Sequence, residues 1–274
     1  MKAEMFQGAH AVVTGGSSGI GLACAEEIVR RGAHVAIIAR DPERLERARQ
    51  GLEALRTSPE QRVLAFSADL SDRKATQGAF DALGEQGFEP DVLINSAGTI
   101  LPGEFAVMPY EHLEANMASG YWSVVNPCRA VVPGMIERGK GHIVNVSSVA
   151  GFLGIYGYTG YAAAKYAVLG FTEALRFELK PHGVSVAVVL PPDTETPGLK
   201  AERAMRPYET EVISGSIKPI APARVAQAVI RGMRKGRFHI IPDAQSRLYF
   251  RLKGLLPEVF FAIVDADIRK ARKS

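Results

Sequence analysis

An apolar run at 9–13 ends in Thr14-Gly-Gly-Ser-Ser-Gly-Ile-Gly21, and a helical pattern follows to Arg31, where Gly32 stops it. A buried strand that turns into a helix through glycines leaves few folds open. Gly15, Gly19 and Gly21 allow a tight turn and the close approach of a pyrophosphate to a helix N-terminus. The spacing is Gly-x-x-x-Gly-x-Gly rather than the commoner Gly-x-Gly-x-x-Gly, and an ordinary glycine turn is the competing reading.

The same alternation runs on. Strands are expected at 34–39, 62–67, 92–94, 142–147 and 184–190. Between them lie helical stretches: one from Asp41-Pro42 to about 57, one to about 84, a long one over 110–138, and one carrying Tyr161 to about 180. Strands alternating with helices predict a Rossmann-like, doubly wound parallel sheet in an α/β domain. Runs such as Val-Ala-Ile-Ile suit strands covered on both faces. Ligands then bind beyond the carboxyl ends of the strands. The segments 14–21, 95–98, Ser148 and Pro191 all fall at such ends. The stretch 196–219 is irregular in pattern, rich in Glu, Arg and Pro, and is a candidate lid.

Tyr161 and Lys165 are four residues apart, about one helical turn, so both leave the same helix face. A phenol is a weak acid, with an ordinary pKa of about 10, and a neighbouring ammonium is expected to lower it towards useful acid–base strength. Tyr156, Tyr158 and Tyr166 have no lysine four residues on. Tyr161 would protonate the developing alkoxide of a carbonyl substrate, and Ser148 would hydrogen-bond that oxygen. Asn116, an amide within the long helix, is expected to kink it or to bind water for a proton relay to Lys165.

Arg40 directly follows the second strand, where an acidic residue would bind the ribose 2′-hydroxyl of NAD. An arginine suits the 2′-phosphate of NADP, with Ser17 and Ser18 as further donors; a solvated surface arginine is the alternative. Asp69 could accept from an adenine amino group or cap the following helix. Ala97 and Gly98 are small enough for a cofactor to pass, while Asn95 either joins that contact or ties neighbouring strands together.

At 274 residues and 47% apolar, one large domain is the default. Cys24 and Cys128 fall in helical stretches and make no disulfide framework, which points to a reducing, cytoplasmic setting. The first eight residues carry no long apolar stretch, so no signal peptide is expected. The net charge of +4 lies in the last part: 246–274 holds seven Lys/Arg against three Asp/Glu, and the rest sums to zero. No nucleic-acid motif accompanies it. The division read here is a domain over 1–245 and a basic, amphipathic extension over 246–274. Its apolar residues, from Leu248 to Val264, are flanked by Arg247, Arg251, Lys253 and a basic end at 269–273. That pattern reads as a peripheral membrane anchor, or as a helix packed on a partner subunit or over the substrate cleft.

Thr14-Gly-x-x-x-Gly-x-Gly21, Asn95-Ser-Ala-Gly98, and the set Asn116, Ser148, Tyr161 and Lys165 together resemble the short-chain dehydrogenase/reductase family over roughly 8–240. Ser148 is the matching serine because it lies thirteen residues before Tyr161. The resemblance implies a nicotinamide cofactor, here NADPH, contacted also by Ile20, Leu70, Pro191, Thr194 and Thr196. It implies that Lys165 holds the nicotinamide ribose, and a dimer or tetramer built on the long helix and the Tyr161 helix. Pro192 stands where the family usually has glycine. The segment Pro191-Pro-Asp-Thr-Glu-Thr-Pro-Gly198 is similar to that of family members reducing the 3-keto group of a long-chain base. Another ketone substrate, 3-ketoacyl or steroid-like, and a non-catalytic NADP sensor are the alternatives.

Overall fold

The computed structural model describes residues 5–214 and 218–271. Arg272 and Lys273, and residues 215–217 of the expected lid, lie outside the described residues. Seven parallel strands form one sheet: β1 His10–Thr14, β2 His34–Ala39, β3 Val63–Ser67, β4 Val92–Asn95, β5 Gly141–Val146, β6 Val184–Val189 and β7 His239–Ile240. Their order is β3-β2-β1-β4-β5-β6-β7. The order reverses between β1 and β4, and the crevice beyond their carboxyl ends is where such a sheet binds its ligand.

Strand residues alternate between two cores. Val13, Val35, Ile37 and Ile94 face α1 (Gly19–Val29), α2 (Pro42–Glu53) and α9 (Pro222–Arg234). Val12, Ala36, Ile38 and Leu93 face α3 (Arg73–Glu85), α5 (Ser123–Glu137) and α6 (Thr159–Leu179). Burial on both sides explains the unbroken apolar runs. Asp41 caps α2 with Pro42 in its first turn, and Gly32 leaves α1 at φ +85°.

The long helix of 110–138 is divided. α4 (Tyr110–Met117) passes into a π-helical stretch, Ala118–Trp122, before α5 begins. Asn116 sits two residues before that change. The described residues of 196–219, although without a clear period in sequence, hold α7 (Pro197–Arg203) and α8 (Tyr208–Ser214). Their order comes from buried ion pairs around Arg206, which periodicity does not register. The C-terminal part forms α10 (Ala244–Leu255) and α11 (Pro257–Ala271), with Pro257 opening the second helix. Phe260 packs with Phe152, Leu153, Val188 and Leu190, so these helices lie against the body. No helix among the described residues is long and apolar enough to cross a membrane.

Candidate active site

A cleft of about 820 Å3 runs along the carboxyl ends of the strands. At one end stands the glycine turn. Gly15 and Gly19 have φ of +64° and +56°. A Cβ on Gly15 would lie 2.8 Å from the Ala97 nitrogen, and one on Gly21 would lie 2.3 Å from the Gly15 carbonyl. The backbone there is packed as closely as glycine permits, with the start of α1 facing the cleft. This cradle fits a dinucleotide pyrophosphate.

Ser17, Ser18, Ile20, Arg40, Asp69 and Leu70 line the same end. Partial burial pushes the Asp69 carboxyl up, but hydrogen bonds from the Ser71 side chain and amide and the Arg40 charge outweigh it and hold it low. Asp69 does not cap α3; Asp72 does, accepting from the Ala75 amide at 2.7 Å. Arg44, one turn into α2, also lines this end beside Arg40. Its sequence signal is a second cation four residues beyond Arg40, just after β2. Two guanidiniums lining the cleft just after β2 fit the 2′-phosphate of NADP.

Asn95 does not line the cleft. Buried in the sheet, it receives a hydrogen bond from Thr14 of β1 at 3.3 Å and donates to Oδ1 of Asn145 of β5 at 2.9 Å. Asn145 continues to Thr172 of α6 at 3.0 Å. The strand-tying role is therefore the one its side chain performs, while Ala97 and Gly98 beyond it do line the cleft.

The other end gathers Ser148, Tyr161 and Lys165. Ser148 follows β5 and its Oγ accepts from the Ala150 amide at 3.1 Å, which fixes the hydroxyl at the strand end. Tyr161 and Lys165 emerge from the first turns of α6, and Nζ of Lys165 donates to the Val146 carbonyl at 3.2 Å. Burial raises the Tyr161 phenol well above its ordinary value. The Ser148 hydroxyl pulls it down, and the carboxylates of Asp193 and Glu202 add to the rise. Burial pushes Lys165 down to about 8. The lowering of Tyr161 by Lys165 expected from their spacing is thus not found: desolvation of both groups dominates.

Asn116 is buried behind this wall rather than in the cleft. Its amide donates to the Leu101 carbonyl at 2.9 Å and accepts from the Leu101 amide at 3.1 Å. Pro191 and Thr194 line the cleft after β6, as does Thr196, which caps α7 through Leu199. A Cβ on Gly19 would lie 2.8 Å from Cγ2 of Thr196, so the segment that opens α7 meets the glycine turn across the cleft. Asp243 caps α10, whose Gln245 and Tyr249 close one side.

Residues 9–207 match the family model for short chain dehydrogenases. The chain is 40% identical over 234 residues to the 3-dehydrosphinganine reductase of Danio rerio, covering 85% of this chain and 70% of that protein. It is also 40% identical over 233 residues to the 3-ketodihydrosphingosine reductase of Mus musculus, with the same coverage. Among solved structures, a short-chain dehydrogenase from Sphingobium yanoikuyae in complex with NADPH superposes with a TM-score of 0.76 at 28% identity, over 91% of this chain and 95% of that one. One from Burkholderia phymatum in complex with NAD gives 0.82 at 26% identity, over 93% and 95%. With the family model covering 9–207 and curated relatives at this identity, the chain belongs to the short-chain dehydrogenase family.

Proposed function

We propose that the chain is an NADPH-dependent reductase of the 3-keto group of a long-chain base, converting 3-ketodihydrosphingosine to dihydrosphingosine. The observation that carries this reading is one cleft with a glycine cradle and two arginines at one end and Ser148, Tyr161 and Lys165 at the other. The two reductases reported above, acting by their names on this ketone, support the substrate.

The glycine turn, Ser17, Ser18, Arg40 and Arg44 would hold the phosphates, with Asp69 and Leu70 at the adenine side and Ala97, Gly98, Pro191, Thr194 and Thr196 along the rest. When bound, NADPH supplies the hydride that the carbonyl carbon takes up. Tyr161 donates its phenolic proton to the carbonyl oxygen. A phenol raised by burial stays protonated at neutral pH, the form that a reduction requires. Ser148 hydrogen-bonds the same oxygen as charge builds on it. Lys165 holds the ribose and stabilises the phenolate left after transfer. Asn116, fixed to Leu101, supports resupply of that proton through ordered water.

Residues 1–245 would form the catalytic domain and 246–274 an extension lying peripherally on a membrane that carries the lipid ketone. In favour of this, Leu255, Leu256, Val259, Phe261 and Ile263 are exposed, with Arg247, Arg251 and Arg269 exposed among them. A dimer or tetramer through α5 and α6 is favoured by the exposed Trp122 and Phe177. Purified protein is expected to consume NADPH with 3-ketodihydrosphingosine. No turnover of that ketone, alongside turnover of a 3-ketoacyl or steroid ketone, would remove the substrate assignment.

A further inference from the structure

The segment after β6 carries a charge cluster that the reaction above does not use. Arg206, between α7 and α8, has a fully buried side chain. It donates through Nη2 to Asp193 at 2.8 Å and through Nε to Glu202 at 2.6 Å. Glu202 is 1% exposed, and its Oε1 also accepts from the Tyr158 hydroxyl at 2.5 Å. Its second oxygen, Oε2, is buried with no hydrogen-bond partner. The more exposed Glu211 approaches the same guanidinium at 3.5 Å. Among the described ion pairs, one cation is thus shared by two inner carboxylates and one outer one. The buried Glu202–Arg206 pair is neutral, so Asp193 adds a negative charge at the edge of the cluster, where it keeps contact with solvent and can meet a further cation.

The cluster borders the reaction centre. Asp193 and Tyr158 line the cleft together with Ser148 and Tyr161, and the Asp193 side chain keeps 26% of its surface exposed. For a neutral ketone the placement is unfavourable: both carboxylates oppose the negative charge that forms on Tyr161 after it gives up its proton. It becomes favourable if the substrate brings a positive charge beside the carbonyl. A long-chain base does, since an amine sits on the carbon next to its ketone.

We propose that Asp193 receives the ammonium group of the substrate, with buried Glu202 behind it and Arg206 fixing both, so that the cleft selects ketones carrying a neighbouring cation. This rests on the amino ketone substrate proposed above. Asp193 binds the ammonium by a charge-assisted hydrogen bond; Glu202 is a positioning residue that acts through Arg206 and through its charge. The ammonium also offsets the two carboxylates as Tyr161 becomes phenolate.

The test compares 3-ketodihydrosphingosine with the chain-matched 1-hydroxy-3-ketone that lacks the amine, both with NADPH. The unmutated protein is expected to favour the amine by at least twentyfold in kcat/KM. Asp193→Asn is expected to cut that ratio at least tenfold, chiefly through KM, and Asp193→Glu to restore part of it. A ratio near one in the unmutated protein, or a ratio unchanged in folded Asp193→Asn, overturns the ammonium site while leaving the reductase reading intact. Reduction of the amine-free ketone but not of the amino ketone overturns both readings. Should the variant fail to fold, inhibition of the unmutated protein decides. Dihydrosphingosine is expected to inhibit at least tenfold more tightly than its N-acetyl derivative, and equal inhibition overturns the proposal.

Discussion

Nζ of Lys165 stands 5.7 Å from the centre of the Tyr161 ring, and the two side chains are held by burial at opposite ends of their titration ranges. Burial brings Lys165 down to about 8, so the free protein loses that cation as pH rises through about 8. Tyr161, pushed upward, keeps its proton over the same interval. The kcat/KM for reduction of the amine-free ketone, which has no titrating group of its own, is therefore expected to be level near neutrality and to fall above about 8. Lys165→Arg, whose cation does not titrate there, should be slower and lack that fall. The same inflection in the variant would assign it to another group.

Tyr161→Phe keeps the ring and removes the proton. General acid catalysis contributes about 10²–10⁴-fold, so kcat should drop within that range. NADPH affinity, read by quenching of protein fluorescence, should change by no more than about threefold. Full activity in this variant would refute the mechanism.

Arg40 and Arg44 flank the end of the cleft assigned to the 2′-phosphate. A lost charge-assisted hydrogen bond is worth about 1.5–3 kcal/mol, and the solvent exposure of Arg40 places it at the lower end. Arg40→Ala should weaken NADPH roughly tenfold and NADH hardly at all, with Arg44→Ala acting in the same direction. Titration of each variant with both cofactors checks this, and an unchanged preference would make both arginines surface residues.

Asn95 joins three strands of the sheet through Thr14 and Asn145. Asn95→Ala leaves buried Oδ1 of Asn145 with only the weak Cys128 thiol, at 3.7 Å, as donor, and takes the acceptor from the Thr14 hydroxyl. The loss should be about 1–3 kcal/mol in urea unfolding, more than a surface change would give. Since Asn95 does not line the cleft, NADPH affinity of the folded variant should stay close to that of the parent. A loss of affinity without a loss of stability would return Asn95 to the cofactor contacts.

Leu256 and Val259 are exposed beside the basic residues of α10 and α11. Replacing both with aspartate should reduce sedimentation with anionic vesicles several-fold and leave the melting temperature nearly unchanged. Truncation is a poorer test, because removing Phe260 uncovers Phe152 and Leu153. Undiminished vesicle binding would locate the contact elsewhere.

Much of this was readable from the chain. The glycine turn, the alternation of strands and helices and the spacing of Ser148, Tyr161 and Lys165 are local patterns, and each lies where its pattern implied. What escaped depends on distant partners. β7 is two residues long, and only its pairing with β6 makes it a strand. The order of α7 and α8 rests on Arg206 finding Asp193 and Glu202. Asn95 could not be assigned without its neighbours across the sheet. The Tyr161 titration went the other way because burial, a property of the packed molecule, outweighs the neighbour four residues on.

The wall that α10 adds to the cleft has a consequence for how the molecule is made. β1 to β5, with the nucleotide cradle, leave the ribosome well before Gln245 and Tyr249, and synthesis at about 5–20 residues per second separates the two by several seconds. The glycine turn, Arg40 and Arg44 thus exist in the nascent chain while the ketone end of the cleft still lacks one side.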